Sequence, residues 1–317
     1  ITPIVLLKRR RHASVQIAAD VAPGTPTLGV MLPYTPLHHL LLSDVGEAVV
    51  ATSGNLSDEP ICIDEHDALA RLGGIADVFL VHNRPILRHV DDSIARIQLG
   101  RELVLRRARG YAPAPVSLGA DLPPTLAVGA HLKNTVAVSV GPLAMVSQHI
   151  GDLETEEAMV AFEHVVDSLE SLFQVRPEAA VADLHPDYAS TRFANQLGLP
   201  VTPVQHHVAH VLSAAAENGV TGRFLGVAWD GTGAGTDHTV WGGEFLEIDD
   251  ASWTRIACLR PFQLPGGERA VREPRRAAFG ALHAMFDERV VNVPCAAVAS
   301  FSGGERETLS AMLRSGL

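Results

Sequence analysis

The sequence predicts an α/β protein of two domains. Short apolar runs that read as strands alternate with segments of helical periodicity, which implies sheets covered by helices. A length of 317 residues suits two domains at about 100–200 residues each. A dense proline stretch between Pro113 and Pro124 supplies the joint, because proline breaks helices and removes sheet donors. The parts are expected at 1–112 and 124–317, with 113–123 as the linker.

In the first part, Ala48-Val49-Val50-Ala51-Thr52 and Asp77-Val78-Phe79-Leu80-Val81 read as buried strands, and Asp64 to Leu72 as a short helix. After the joint, Thr125 to Gly129 and Thr135 to Val140 read as a hairpin with Lys133 and Asn134 at its polar tip. From Thr155 to Phe173, the apolar residues Met159, Phe162, Val165, Val166, Leu169, Leu172 and Phe173 share one helix face. Glu156 and Glu157 favour its N-terminus. Ala179 to Ala182 reads as a strand, His206 to Glu217 as a helix stopped at Asn218-Gly219, and Phe224 to Trp229 as a further strand.

With 47% hydrophobic and 19% charged residues, the chain can bury cores, which excludes disorder. No apolar run reaches about 18 residues, so no membrane span is expected. Ile1 to Arg11 places charge after the apolar run, the reverse of a secretory signal, and a cytoplasmic location is expected. Cys62, Cys258 and Cys295 are far apart and odd in number, which suggests buried thiols and neither disulfides nor a cysteine zinc site. The net charge of −11 sits entirely in the second part, since residues 1–112 hold 12 basic and 12 acidic side chains. Nucleic acid is therefore not an expected partner. Lys8 and Lys133 are the only lysines.

Gln205-His206-His207-Val208-Ala209-His210 carries the sharpest chemistry. On a helix, His206 and His210 project from nearly one face a turn apart, a spacing that lets two imidazoles share a divalent cation. The alternative is a polar helix start with incidental histidines. Asp230, at the end of a strand, is the natural third ligand. The glycines of Asp230-Gly231-Thr232-Gly233-Ala234-Gly235 suit a phosphate loop, and an ordinary hairpin turn is the competing reading. Thr52-Ser53-Gly54-Asn55 follows a predicted strand, where α/β ligands sit, although polar turns look the same. Arg106, Arg107 and Arg109 offer guanidinium forks for phosphate or form a solvated face.

In chain order, Met31-Leu32-Pro33-Tyr34-Thr35-Pro36-Leu37-His38-His39, Thr52-Ser53-Gly54-Asn55, Asp91-Asp92-Ser93 and Arg106-Arg107-Ala108-Arg109-Gly110-Tyr111-Ala112-Pro113 resemble the YrdC-like domain of the hydrogenase maturation carbamoyltransferases, HypF. Lys133-Asn134-Thr135, Ser147 to Leu153, Asp183-Leu184-His185-Pro186-Asp187-Tyr188, Gln205 to His210, Asp230 to Gly233, Pro265-Gly266-Gly267 and Arg272-Glu273-Pro274 resemble the last domain of that family. The resemblance implies a partial YrdC-like twisted mixed sheet with helices. A partial TsaD-like domain of actin-like ATPase (ribonuclease H-like) α/β architecture follows it.

It also implies a reaction. Carbamate derived from carbamoyl phosphate joins ATP as carbamoyl adenylate, and the carbamoyl group passes to the carboxy-terminal cysteine thiol of HypE. ATP and a divalent metal ion (Mg, Zn or Fe) are the implied cofactors. His206, His210 and Asp230 become metal ligands, Lys133, Asn134, Gly231, Thr232 and Gly233 phosphate contacts, and Ser53, Asn55, Arg107 and Arg109 the adenylate site.

Two families of related domains compete with this reading. In tRNA threonylcarbamoyl-adenosine synthesis the domains are separate proteins, and in antibiotic O-carbamoyltransferases their order is reversed. The acylphosphatase module, zinc fingers and basic nucleotide segment of HypF are missing from the sequence, as is a late Gly-Gly loop. It reads as an internal piece that is expected to be inactive in adenylation alone, so a catalytically incompetent fragment is a third alternative.

Overall fold

The computed structural model describes residues 2–10, 17–57, 59–250 and 252–315, which leaves Ile1, Arg11 and Leu317 outside. The chain forms two compact units. One comprises 1–205 with 213–220, the other 206–212 with 221–317. Among the described residues, no helix is long and apolar enough to cross a membrane.

The first unit opens with a four-stranded mixed sheet in the order β2-β1-β3-β4, formed by β1 (Ile4–Lys8), β2 (Thr27–Val30), β3 (Ile94–Gln98) and β4 (Arg101–Arg106). Two helices interrupt it. In α1 (Pro36–Val45), Thr35 accepts a hydrogen bond from the His38 N–H and Pro36 occupies the first turn, where its missing donor costs nothing. In α2 (Glu65–Leu72), Asp64, read from sequence as the first residue of the helix, is its cap and accepts from the His66 and Asp67 N–H groups.

The two runs read as buried strands, Ala48–Thr52 and Asp77–Val81, are irregular and exposed, with Val78 at 83%. An apolar run becomes a strand only where a neighbouring strand takes its backbone hydrogen bonds and a layer covers its side chains. Neither is supplied to these two runs by the described residues.

A second sheet of the first unit has the order β10-β9-β6-β7-β8-β5. It contains β5 (Pro115–Ser117), β6 (Thr125–Ala127), β7 (Ala137–Val140), β8 (Leu143–Val146), β9 (Ala179–Asp183) and β10 (Val201–Val204). The predicted hairpin is present, with Leu126 opposite Val138. Within 113–123, read as linker, Pro115–Ser117 is instead an edge strand paired with Leu143–Met145. Edge positions tolerate proline because one side of the strand needs no donor. The proline stretch therefore lies inside one compact unit.

Helix α3 (Glu156–Phe173) is capped by Thr155, whose hydroxyl accepts from Ala158 N–H at 3.1 Å. It buries Ala158, Phe162, Val165, Val166 and Leu169 against Leu126, Val128, Val138 and Ala180. Leu172, assigned to the same stripe from sequence, is 52% exposed. Helix α4 (Ala189–Gln196) adds Phe193, which meets Phe162 edge to face at 5.0 Å.

Helix α5 (His206–Glu217) contributes residues to both units. The second unit adds an antiparallel sheet of β11 (Phe224–Ala234), β12 (Val240–Asp249) and β13 (Ser252–Cys258). Four helices follow: α6 (Glu268–Arg272), α7 (Pro274–Phe286), α8 (Ala296–Ala299) and α9 (Gly303–Ser315). Phe279, Val290, Val298, Phe301, Leu309 and Leu313 form their core.

At the start of α7, Glu273 gathers three guanidinium groups. Arg269 donates at 2.6 Å, and Arg275 and Arg276 each donate at 3.1 Å. The Arg269 hydrogen bond, followed by those from Arg276 and Arg275, lowers its carboxyl from 4.5 to about 2. A depressed carboxyl stabilises the fold above its unfolded pKa and loses that contribution as pH falls through the folded value. The stability gap between wild type and Glu273→Gln, followed by acid unfolding, is expected to close between pH 4.5 and about 2.

Candidate metal centre

The first turns of α5 bury His207, Val208 and Val211, and Val208 and Val211 pack on Ala228, Leu246 and Ile248 of the adjoining sheet. Gly226 of β11 faces Val211 so closely that an added Cβ would collide with it. This packing fixes the helix rotation, and His206 and His210 emerge together on the flank. Their Nε2 atoms lie 3.2 Å apart and their rings are nearly perpendicular.

Strand β11 brings the third group. The glycine-rich stretch after Trp229, read as a phosphate loop or a turn, is instead a continuation of the strand. Trp229 pairs with Gly243 and Gly233 with Trp241, so Asp230, Gly231 and Thr232 bulge opposite the single residue Gly242. The bulge turns Asp230 toward the helix. Its Oδ2 stands 3.3 Å from His206 Nε2 and 3.5 Å from Nε2 of the fully buried His207.

Glycine is required at Gly233 by close approach. A Cβ there would lie 2.5 Å from His207 Cε1 and 3.1 Å from His206 Cδ2. Gly233→Ala is therefore expected to destabilise the second unit by about 1–3 kcal/mol through overpacking. Chemical denaturation followed by tryptophan fluorescence reads this unit selectively, because Trp229, Trp241 and Trp253 all lie in it.

His206, His210 and Asp230 each offer one ligand atom, all within 4.8 Å of one another. Two nitrogens bound tetrahedrally at about 2.0–2.1 Å stand about 3.3 Å apart, close to the histidine spacing seen here. Two imidazoles and one carboxylate suit Zn or Fe, while the carboxylate alone also suits Mg. The residues thus fit a divalent ion. Burial pushes the Asp230 carboxyl up, but the His206 hydrogen bond, the Gly231 N–H at 2.7 Å and the charges of His206 and His210 outweigh it, and the net direction is down. Asp230 is consequently an anion ready to ligate. Burial lowers the His207 pKa against the opposing pull of Asp230.

The remaining sequence candidates occupy the first unit, apart from Gly231 and Thr232 in the bulge. Lys133 is exposed at the hairpin tip in a left-handed conformation, φ 50°, and its N–H donates to Asp152 at 2.6 Å. Asn134 is buried, and its amide donates to the carbonyls of Val128 and Ala130. It braces the loop that presents Lys133. Asn55 likewise donates within its own turn, to the Leu56 and Glu59 carbonyls, beside an exposed Ser53. Arg109 spans Asp92 at 2.7 Å and the Thr2 carbonyl at 2.7 Å, with its guanidinium 3.5 Å from the centre of the Tyr34 ring. Arg107 donates to the Ala114 carbonyl at 2.6 Å.

Sequence reasoning missed the support around the bulge. Glu244 is 2% exposed, accepts from Gly242 N–H at 3.0 Å and is paired with Arg255 at 2.6 Å. A lone Trp-Gly-Gly-Glu run carries no spacing that announces such a role.

Residues 2–108 match the Sua5/YciO/YrdC family, described as telomere recombination. Residues 120–217 match the HypF Kae1-like domain, and 226–317 the second subdomain of the carbamoyltransferase Kae1-like domain. The chain is 51% identical to the carbamoyltransferase HypF of Synechocystis sp. over 90% of its own length and 37% of that protein. It is 46% identical to that of Rhizobium leguminosarum bv. viciae, over 89% of its length and 38% of that protein. It thus spans about two fifths of the length of these relatives. A crystal structure of full-length HypF in the phosphate- and nucleotide-bound form superposes with a TM-score of 0.91 at 41% identity, covering 99% of this chain and 49% of that one. The T. kodakarensis HypF structure gives 0.88 at 32% identity, covering 99% of this chain and 42% of that one. The chain is built of the YrdC-type and Kae1-like domains of the HypF family, and to that family it belongs.

Proposed function

We propose that the chain is the adenylating and transferring part of an ATP-dependent carbamoyltransferase of [NiFe]-hydrogenase maturation, working in the cytoplasm. The observation that carries this reading is the convergence of His206, His210 and Asp230, drawn from the two Kae1-like segments, into one ligand set. Carbamate attacks the α-phosphate of ATP and pyrophosphate leaves, giving carbamoyl adenylate. The cysteine thiolate of HypE then forms a C–S bond to the carbamoyl carbon as the C–O bond to AMP breaks.

A divalent ion at the triad supplies polarisation of a phosphate or carbonyl oxygen. The exposure of Lys133 as a point charge on a loop braced by Asn134 supports reading it as a phosphate contact. Gly231, Thr232 and Gly233 form the backbone beside Asp230 that contacts phosphate in this reading, the Gly231 N–H giving up its bond to Asp230 Oδ1 as it does so. Ser53, Asn55, Arg107 and Arg109 line the adenylate site. In that role Arg109 orients Tyr34 and joins Thr2 to Asp92.

Exchange of this chain for the matching segment of Synechocystis HypF tests the proposal as a whole. With carbamoyl phosphate, ATP and HypE, the hybrid is expected to add one carbamoyl group to the HypE terminal cysteine, read by mass spectrometry. A folded hybrid that leaves HypE unmodified overturns it.

A further inference from the structure

A β-bulge leaves its partner strand with a local mismatch, and something other than the regular ladder must fix the geometry there. Opposite the Asp230–Thr232 bulge, Gly242 meets the backbone of the bulge itself, since a Cβ there would lie 3.1 Å from the Asp230 carbonyl oxygen. The Gly242 N–H donates to Glu244 Oε1 at 3.0 Å. Glu244 is almost wholly buried, and its second oxygen accepts from Arg255 Nε at 2.6 Å. The same guanidinium lies 4.0 Å from the centre of the Trp241 ring, and Trp241 pairs with Gly233 to close the far end of the bulge. Trp241 is fixed in turn by its indole N–H, which donates to Asp237 at 2.8 Å.

We propose that Glu244, held by Arg255, is a positioning residue for the metal centre. Its carboxylate anchors the Gly242 amide beneath the bulge and so sets where Asp230 presents its oxygen to His206 and His210. A buried carboxylate costs stability unless it is paired, and Arg255 provides that pairing. The inference rests on the reading of His206, His210 and Asp230 as a metal site. Partners one step removed from a metal commonly govern affinity by 10–100-fold.

Two double variants isolate the Gly242 hydrogen bond without leaving a buried charge unpaired. Glu244→Gln with Arg255→Met keeps an acceptor for Gly242, whereas Glu244→Met with Arg255→Met removes it. In Co2+ titrations the first pair is expected to bind close to wild type. The second is expected to bind about 10–100-fold more weakly, with altered visible absorption as the Asp230 oxygen leaves the ion. Equal affinity and equal spectra in the two pairs overturn the inference while the metal site stands. A wild type that binds no Co2+ removes the metal reading, and the positioning role with it. Should the second pair fail to fold, amide exchange in the wild type decides: Gly242 is expected to be protected like its strand neighbours, and exchange at the rate of an open loop overturns the anchor.

Discussion

Replacing His206 by alanine is expected to remove tightly bound metal from this protein. Only two of the three donors would remain, His210 and Asp230, and Asp230 would lose its neighbour at 3.3 Å. Removing a direct ligand should exceed the roughly 100-fold upper end seen for groups one step removed from a metal. Elemental analysis after dialysis and Co2+ titration both read the loss. His210→Ala should behave alike, because the two Nε2 atoms contribute equivalently from one helix flank. Unchanged occupancy in both variants would remove the basis for a metal at this place. The fold should survive either change, since both side chains sit on the helix flank, whereas Val208 and Val211 carry the packing.

The second large effect concerns stability of the first unit. Phe162 is fully buried in the middle of α3, where it meets Phe193 of α4 and joins the cluster around Leu126 and Ala180. Phe162→Ala removes the ring and leaves a cavity that two helices and a sheet cannot close, which should cost about 3–5 kcal/mol. Hydrogen exchange at β6 and β9 is the appropriate measurement, because the protein's tryptophans all report on the other unit. Unaltered protection of Leu126 and Ala180 amides would contradict this account.

The sequence was most informative where local chemistry and periodicity agreed. The α3 stripe, the acidic first turn of that helix, the short helix α2 and the Leu126–Val138 hairpin all follow from patterns within a few residues. It misled where the outcome depends on a distant partner. Ala48–Thr52 and Asp77–Val81 have strand composition, but composition cannot supply the neighbour that a ladder needs. Conversely, Pro115–Ser117 looked unfit for a sheet and found an edge position beside β8.

The candidate site divides in the same way. The His206 and His210 pair is legible because helix spacing alone places both imidazoles together. Asp230 was identified from its position at a strand end, although the feature that delivers it is a bulge and not the expected loop. Glycines look alike in a turn, a phosphate loop and a bulge. Only the close approach of Gly233 to two histidine rings separates the cases. Glu244 and Arg255 were invisible because their meeting depends on the register between β12 and β13.

All three donors of the metal centre come from the short stretch between His206 and Asp230, and all three belong to the second unit. Closing so short a loop costs little chain entropy, because that cost rises only with the logarithm of length. The centre needs only one helix start docked on the β11–β12 pair, and none of its donors or supports comes from the six-stranded sheet of the other unit. An ion that binds only the assembled triad adds its binding free energy to this unit by mass action. If the proposed metal binds there, ambient metal concentration is expected to set how long the second unit stays folded.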